Sequence, residues 1–217
     1  MSADRPSFRA VLFDFDGTLG DSYAAITASV NYVRDQYGLL PLPVSAVRPH
    51  VGRGPENLLA QTVPGGDPVR DGQLYRAHHP QVMRQLTKLM PGADRLTALL
   101  RGRGVKLAVC SNKDVTFTKA LLESLGVAGR FDAVLGPEDV PRRKPAPDML
   151  RAALERLGVA DGEALYIGDM SVDVTTARAA GVAVWSVATG SDTRQTLEAA
   201  KPDRLFDDLN AVADVWE

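Results

Sequence analysis

The chain has 217 residues, 45% of them hydrophobic, with 25 Lys and Arg against 27 Asp and Glu and a net charge of -2. That suffices for one well-packed core and a second, smaller unit. The near-neutral balance argues against general affinity for nucleic acid or an anionic membrane surface, and no stretch supplies the roughly 20 apolar residues that a membrane helix needs. A single cysteine, Cys110, excludes an intramolecular disulfide, and no apolar run precedes Phe8. The expectation is a reducing cytoplasm.

In chain order, the first strand signal is Ala10-Val-Leu-Phe-Asp14, a continuous apolar run suited to a strand buried on both faces. The stretch from Asp21 to Met90 breaks that pattern and holds no convincing strand. Ile26, Val30, Val33 and Tyr37 follow helical spacing, and Pro41 and Pro43 then interrupt. Asn57-Leu-Leu-Ala60 reads as a short helix, and a longer helical segment runs from Pro68 to Leu89. Strand-like runs resume at Val105–Cys110, Phe131–Leu135, Ala164–Ile167 and Val182–Val187, with helical patterns between them. The helix around Ala177–Ala180 is expected to end at Gly181 as its C′ residue. Strands alternating with helices predict an α/β fold with a doubly wound parallel sheet. Its core comprises residues 1–20 and 91–217, and residues 21–90 form a small α-helical insertion. That insertion is expected to act as a cap over the carboxyl ends of the strands, where open α/β sheets bind ligands.

The chemistry concentrates at strand ends. Asp14-Phe-Asp-Gly-Thr18 directly follows the first strand. Asp14 and Asp16, two apart, can point toward one site; Gly17 permits a sharp turn, and Thr18 offers a local hydrogen bond. Gly168-Asp-Met-Ser-Val-Asp173 follows another buried strand, with Asp169 at the strand end and Asp173 in the next helical turn. Asp173 alone would pass for an ordinary helix-start acid. Two acidic strand ends in one parallel sheet, however, repel each other unless a cation is present, and clustered hard oxygens suit Mg²⁺. Lys144, stiffened by Pro145 and Pro147, is the candidate cation within the protein, whereas Arg142 and Arg143 read as a solvated loop. Ser111-Asn112 ends the Val105–Cys110 run; alone it reads as a helix cap, yet a hydroxyl and backbone N–H groups there can hold phosphoryl oxygens.

The segments Asp14-Phe-Asp-Gly-Thr-Leu19, Ser111-Asn112, Lys144-Pro145 and Gly168-Asp169 with Asp173, in this order, resemble the haloacid dehalogenase superfamily over nearly the whole chain. A helical insertion after the first motif is like its capped branch. The tail Leu197–Asp208 resembles the closing segment of phosphoglycolate-phosphatase-like members. The resemblance implies that Asp14 is the nucleophile and that Asp16 protonates the leaving oxygen, then activates water. It implies that Ser111 binds the phosphoryl group, with Asn112, Gly17 and Thr18 around it, and that Lys144 neutralises charge there. Asp14, Asp169 and the backbone carbonyl of Asp16 would bind Mg²⁺, with Asp173 supporting the metal or orienting Lys144. Dehalogenase and phosphonatase members lack the acid that Asp16 supplies. An alkoxide leaving group needs a proton where a halide does not, so Asp16 argues for phosphate esters. One departure is Gly20, where capped relatives often carry an aliphatic residue; it is expected to loosen the hinge into the insertion.

The implied activity is Mg²⁺-dependent hydrolysis of a small phosphorylated metabolite through an aspartyl-phosphate. The alternatives are a phosphosugar mutase on the same core and, from another class, a non-catalytic phosphate-binding regulatory protein. No nucleic-acid or membrane partner is expected, and either a monomer or a homodimer is compatible with the sequence. In the insertion, Gly52 and Gly54 flank Arg53, which is read either as aimed at a substrate carboxylate or second phosphate, or as a surface-loop residue. His78 and His79 are read as surface or packing residues, Trp185 and Trp216 as packing residues and Cys110 as an inert core thiol.

Overall fold

A computed structural model describes residues 6–217 of the chain; the reading of an apolar-free start at residues 1–5 lies outside the described residues. The first strand, β1 (Ala10–Phe13), is wholly buried, as its unbroken apolar sequence requires. A two-residue strand, β2 (Gly20–Asp21), follows, and then helices α1 (Tyr23–Asp35), α2 (Val44–Val47), α3 (Pro55–Thr62) and α4 (Pro68–Leu86). The chain returns through β3 (Lys88–Leu89) and α5 (Ala93–Gly102). Alternating elements complete it: β4 (Lys106–Cys110), α6 (Val115–Ser124), β5 (Ala133–Leu135), α7 (Asp148–Leu157), β6 (Ala164–Gly168), α8 (Ser171–Ala180), β7 (Ala183–Val187), α9 (Arg194–Ala200), β8 (Arg204–Phe206) and α10 (Leu209–Trp216).

Six strands form one parallel sheet in the order β5-β4-β1-β6-β7-β8. Successive strand side chains point to opposite faces. Val11, Phe13, Leu107, Val109, Leu165 and Ile167 join the core on the side of α5 and α10. Ala10, Leu12, Ala108, Cys110 and Tyr166 pack on the other side against α7 and α8. The sequence reading gave five of these strands. It passed over β8, whose Arg204-Leu-Phe206 is short, edge-placed and only partly buried. Gly181 ends α8 in the left-handed conformation at φ 76°, as its position predicts.

Within the insertion, α1 and α4 make the main helix pair, and α3 packs on α4. Two expectations need correction. The last helix ends at Leu86 rather than Leu89, and the stretch does contain strand: Gly20 pairs with Leu89 and Asp21 with Lys88, antiparallel. Two residues on each side are too few to leave a period-two pattern in the sequence. The Met90 N–H donates to the Leu19 carbonyl at 2.9 Å and extends this neck. At Gly20 a Cβ would lie 2.7 Å from the Phe15 ring, so packing also favours glycine there. Among the described residues, no helix is long and apolar enough to cross a membrane.

Candidate active site

Register decides which side chains meet. Phe13 pairs with Val109 of β4 and with Ile167 of β6. The residues just beyond these pairs, Asp14, Cys110-Ser111 and Gly168-Asp169, therefore emerge together at the carboxyl edge of the sheet. The Asp14 N–H donates to the Ile167 carbonyl at 2.9 Å, which keeps Asp14 attached to the sheet as the chain turns away. The Phe15 N–H donates to Asp14 Oδ1 at 2.7 Å, fixing one carboxylate oxygen.

The other oxygen faces a buried ammonium. Lys144 Nζ lies 3.0 Å from Asp14 Oδ2 and 2.8 Å from Asp173 Oδ1, and donates to the Tyr166 hydroxyl at 2.8 Å. An ammonium carries three N–H donors, so all three are used. Burial opposes the charge on Lys144, but Asp14 and Asp173 outweigh it and hold the pKa above the ordinary lysine value. The Tyr166 hydroxyl lies 2.9 Å from the Cys110 carbonyl and 3.1 Å from Asp173 Oδ1, in reach of both acceptors. Burial and the charges of Asp173 and Asp14 push its ionisation well above the phenol range. The backbone of Lys144 is held by Asn112: Lys144 N donates to Asn112 Oδ1 at 3.0 Å, and Asn112 Nδ2 donates to the Lys144 carbonyl at 3.2 Å.

Asp169 has no cationic partner in its polar contacts. It accepts from the Thr18 hydroxyl at 2.8 Å and the Ser191 N–H at 2.9 Å. Burial, then the negative charges of Asp14 and Asp173, raises its pKa well above the carboxylate range. Asp173 is also raised, by burial and by Asp14, although Lys144 pulls in the opposite direction. Each of Asp14, Asp169 and Asp173 has an oxygen within 4.8 Å of the others, and all three are buried. Three carboxylates around one ammonium leave excess negative charge out of water. That is the donor set of a hard divalent cation. Glycines let the walls close on it. A Cβ at Gly190 would lie 1.6 Å from Asp169 Oδ2, and one at Gly168 would lie 2.4 Å from Asp173.

Asp16 stands apart from that triad. Its carboxylate accepts from the Ser22 hydroxyl and from Lys113 Nζ, 3.2 Å from the nearer oxygen. The expected metal role of Asp16 was through its backbone carbonyl, and the side chain is free of the cluster for other work. Asp14, Asp16, Ser111, Asn112 and Lys113 open onto one cavity of about 100 Å³. Its opposite wall is the insertion, with Ile26, Val51, Leu58 and Tyr75.

Ser111 is buried and lines the cavity. Asn112 also lines it, but its amide serves structure, bridging Lys144 and the Gly52 carbonyl at 3.1 Å. Gly17 takes φ 87°, and the Thr18 hydroxyl goes to Asp169 rather than into the cavity. Arg53 is exposed and does not line that cavity; it lies in a neighbouring outer cleft with Asn57, Arg143, Lys144 and Ser171. Gly52 turns the chain with its Cα tight against Met170, where a Cβ would meet the sulfur at 2.2 Å, so the loop packs down while Arg53 faces outward. Arg143, read with Arg142 as a solvated loop, is half-exposed, lines the cavity beside Asp14 and lies 3.8 Å from Glu56.

Sequence reasoning missed Tyr166, Lys113 and His79. A tyrosine inside the buried run Ala-Leu-Tyr-Ile was the available signal for the first, because a hydroxyl there needs a partner. Lys113 directly follows Ser111-Asn112. His79 belongs to the buried stripe Tyr75, His79, Met83 of α4, and is fully buried. Cys110, Trp185 and Trp216 are buried as expected, and burial raises the Cys110 thiol well above its ordinary value.

This arrangement matches known proteins along almost its whole length. The model of the haloacid dehalogenase-like hydrolase family matches residues 11–187. The chain belongs to that family. The hydrolase is 36% identical to a phosphoglycolate phosphatase from Rhodospirillum rubrum over 217 residues, covering 95% of this chain and 90% of that protein. It is 31% identical to a phosphoglycolate phosphatase from Neisseria gonorrhoeae, covering 100% and 95%. A crystal structure of a haloacid dehalogenase-like hydrolase from Bacteroides fragilis superposes with a TM-score of 0.88 at 29% identity, over 94% of this chain and 99% of that one. A haloacid dehalogenase-like family hydrolase from Streptococcus pneumoniae shares the fold at a TM-score of 0.87 and 24% identity, over 97% and 99%. Family and relatives together make this hydrolase a phosphatase.

Proposed function

We propose that the hydrolase is a Mg²⁺-dependent phosphomonoesterase that cleaves a small, phosphoglycolate-like metabolite through an aspartyl-phosphate on Asp14. The observation that carries this reading is the pairing of two differently placed carboxylates. Asp14 is locked between the Phe15 N–H and Lys144, beside Asp169 and Asp173. Asp16, two residues on, faces the same cavity on a separate set of partners. That difference supports reading one as the nucleophile and the other as the proton carrier.

Asp14 attacks phosphorus and the bond to the ester oxygen breaks, while Asp16 in its acid form gives that oxygen a proton. Asp16, now a carboxylate, takes a proton from the water that attacks the aspartyl-phosphate. Inorganic phosphate leaves and Asp14 is regenerated. Splitting one displacement into two lowers each barrier, and a positioned acid–base group contributes about 10²–10⁴-fold. Ser111 and Lys144 hold the oxygens of the phosphoryl group as charge builds there. Asp14, Asp169 and the Asp16 carbonyl would hold the cation, with Asp173 supporting it through Lys144. When bound, the cation neutralises the carboxylate cluster and the phosphoryl oxygens.

The helical insertion, residues 21–90, acts as the cap. It closes a cavity of about 100 Å³, well below the several hundred that drug-sized ligands occupy, which favours a metabolite of few atoms. The test is hydrolysis of phosphoglycolate and of an aryl phosphate, with Mg²⁺ and with EDTA. Both activities should need the metal, and Asp14→Asn should reduce both by more than about 10³-fold. Wild-type turnover in Asp14→Asn would rule out covalent catalysis at this residue.

A further inference from the structure

The two buried lysines at this site differ in how far their protons are used. Lys144 spends all three on Asp14, Asp173 and Tyr166. Lys113 has two partners: Asp16, with oxygens at 3.2 and 3.4 Å, and His79 Nε2 at 3.4 Å. An ammonium has three donors, so one N–H of Lys113 is left over, and Lys113 lines the cavity onto which Asp14 opens. The other cations of that cavity, Arg76 and Arg143, stand at its mouth on Glu56. Lys113 is therefore the cation inside with donor capacity to spare. Its side chain is 5% exposed, so a bond made there is weakly screened.

His79 makes this placement possible. The Ser29 hydroxyl spends its one hydrogen on the Ala25 carbonyl at 3.1 Å, and its lone pairs face His79 Nδ1 at 3.0 Å and His78 Nδ1 at 3.2 Å. It therefore accepts from His79 Nδ1–H, which leaves the Nε2 lone pair for Lys113. Burial, followed by the adjacent Lys113 charge, lowers the imidazole pKa to about 2, so the ring stays a neutral acceptor. The ring is also clamped, stacked on Tyr75 at 5.0 Å and packed near Phe117 at 5.4 Å. A lysine stem is flexible, and fixing its head needs such a wall.

We propose that Lys113, held in place by His79 of the insertion, binds a second anionic group of the substrate, a carboxylate, and so selects carboxylate-bearing phosphate esters. Lys113 contacts the substrate, and His79 is a positioning residue. The inference rests on the phosphatase reading and adds the group that chooses among esters. A carboxylate suits the cavity better than a second phosphate, because a space of about 100 Å³ already has to take one phosphoryl group.

The experiment compares kcat/KM for phosphoglycolate with that for 2-hydroxyethyl phosphate, which lacks the carboxylate. Replacing Lys113 also disturbs Asp16, but that loss is common to both esters and cancels in their ratio. In Lys113→Met the ratio should fall about 10- to 100-fold, the scale of one charge-assisted hydrogen bond, with the larger part in KM for phosphoglycolate. His79→Leu should lower the ratio in the same direction. His79→Gln, whose amide oxygen can accept the Lys113 proton, should restore much of it, a rescue that simple core packing does not predict. A ratio unchanged in Lys113→Met, or equal effects of His79→Leu and His79→Gln, overturns the inference and leaves the phosphatase reading intact. Wild-type enzyme that hydrolyses neither ester overturns both. Should Lys113→Met not fold, the His79→Gln and His79→Leu pair decides the matter alone.

Discussion

Gly190→Ala tests the carboxylate cluster without altering any charged group. Gly190 lies in the loop after β7, and a Cβ there would sit 1.6 Å from Asp169 Oδ2 and 2.0 Å from its Cγ, against a floor of about 3.0 Å for real contacts. Its φ is not in the left-handed region, so alanine meets no backbone penalty and the clash is the whole effect. Either Asp169 or the loop must move by more than about 1 Å, and displacement of that size at a reacting centre costs about 10²-fold in rate. The move also strains the Ser191 N–H and Thr18 hydroxyl bonds to Asp169. Stability should change less than activity, because moving Asp169 away from Asp14 and Asp173 relieves repulsion in the metal-free protein. The assay is a Mg²⁺ titration of aryl phosphate hydrolysis. A higher half-saturating concentration and a maximal rate about 100-fold lower are expected, while Gly162→Ala, which meets nothing within 4 Å, should behave as wild type. Unchanged rate and metal requirement in Gly190→Ala would refute the placing of Asp169 at the reactive centre.

Two further outcomes follow from the same cluster. Asp169 and Asp173 have raised pKa values, so the folded state holds their protons more tightly than the unfolded chain does. Their contribution to stability is complete below the ordinary aspartate value and is lost as pH rises through the raised values. Because the lowered pKa of His79 works in the opposite direction below the ordinary histidine value, the comparison is with Asp169→Asn: between pH 5.5 and pH 8 EDTA-treated wild type should lose melting temperature relative to that variant, in which the His79 effect is the same, and the stabilisation given by Mg²⁺ should grow over that range; a difference that does not fall with pH would contradict this assignment. Tyr166→Phe removes one of three acceptors around Lys144 and leaves a buried N–H unpaired, at a cost of about 1.5–3 kcal/mol. Calorimetry should show a fall in melting temperature of roughly 3–10 °C, and a value unchanged from wild type would show that Lys144 does not depend on this hydroxyl.

Much of the framework could be read directly from residue order. β1 and β6 are buried throughout and β4 after its exposed first residue, Lys106, because both sheet faces are covered, and that same burial makes an Asp at a strand end conspicuous. Asp14, Asp169, Asp173 and Lys144 stood out because each is costly to bury alone. What escaped depends on contacts across the chain. His79 looks like any helix residue until Ser29, fifty positions earlier, and Lys113, thirty-four later, are placed around it. Thr18 and Asn112 were readable as polar groups near the site, but their partners Asp169 and Lys144 lie 151 and 32 residues away. Arg53 shows the same limit in reverse, because flanking glycines indicate that a loop turns sharply without saying which way its side chain faces. The β2–β3 pair was too short to leave a pattern.

That neck has a consequence for how such enzymes diversify. Gly20-Asp21 and Lys88-Leu89 lie side by side, so the insertion leaves and rejoins the core at one place. To the sheet it is a closed loop, whose internal length adds little entropic cost. The segment is in that sense a graft, exchangeable without redrawing the scaffold beneath it. Among the stitches that limit the exchange are the Gly52 carbonyl on Asn112, Arg48 on the Gly190 and Thr189 carbonyls, and His79 on Lys113. A replacement that keeps the first two preserves the seat of Lys144 and the loop beside Asp169, and one that varies the third is free to change what the enzyme accepts.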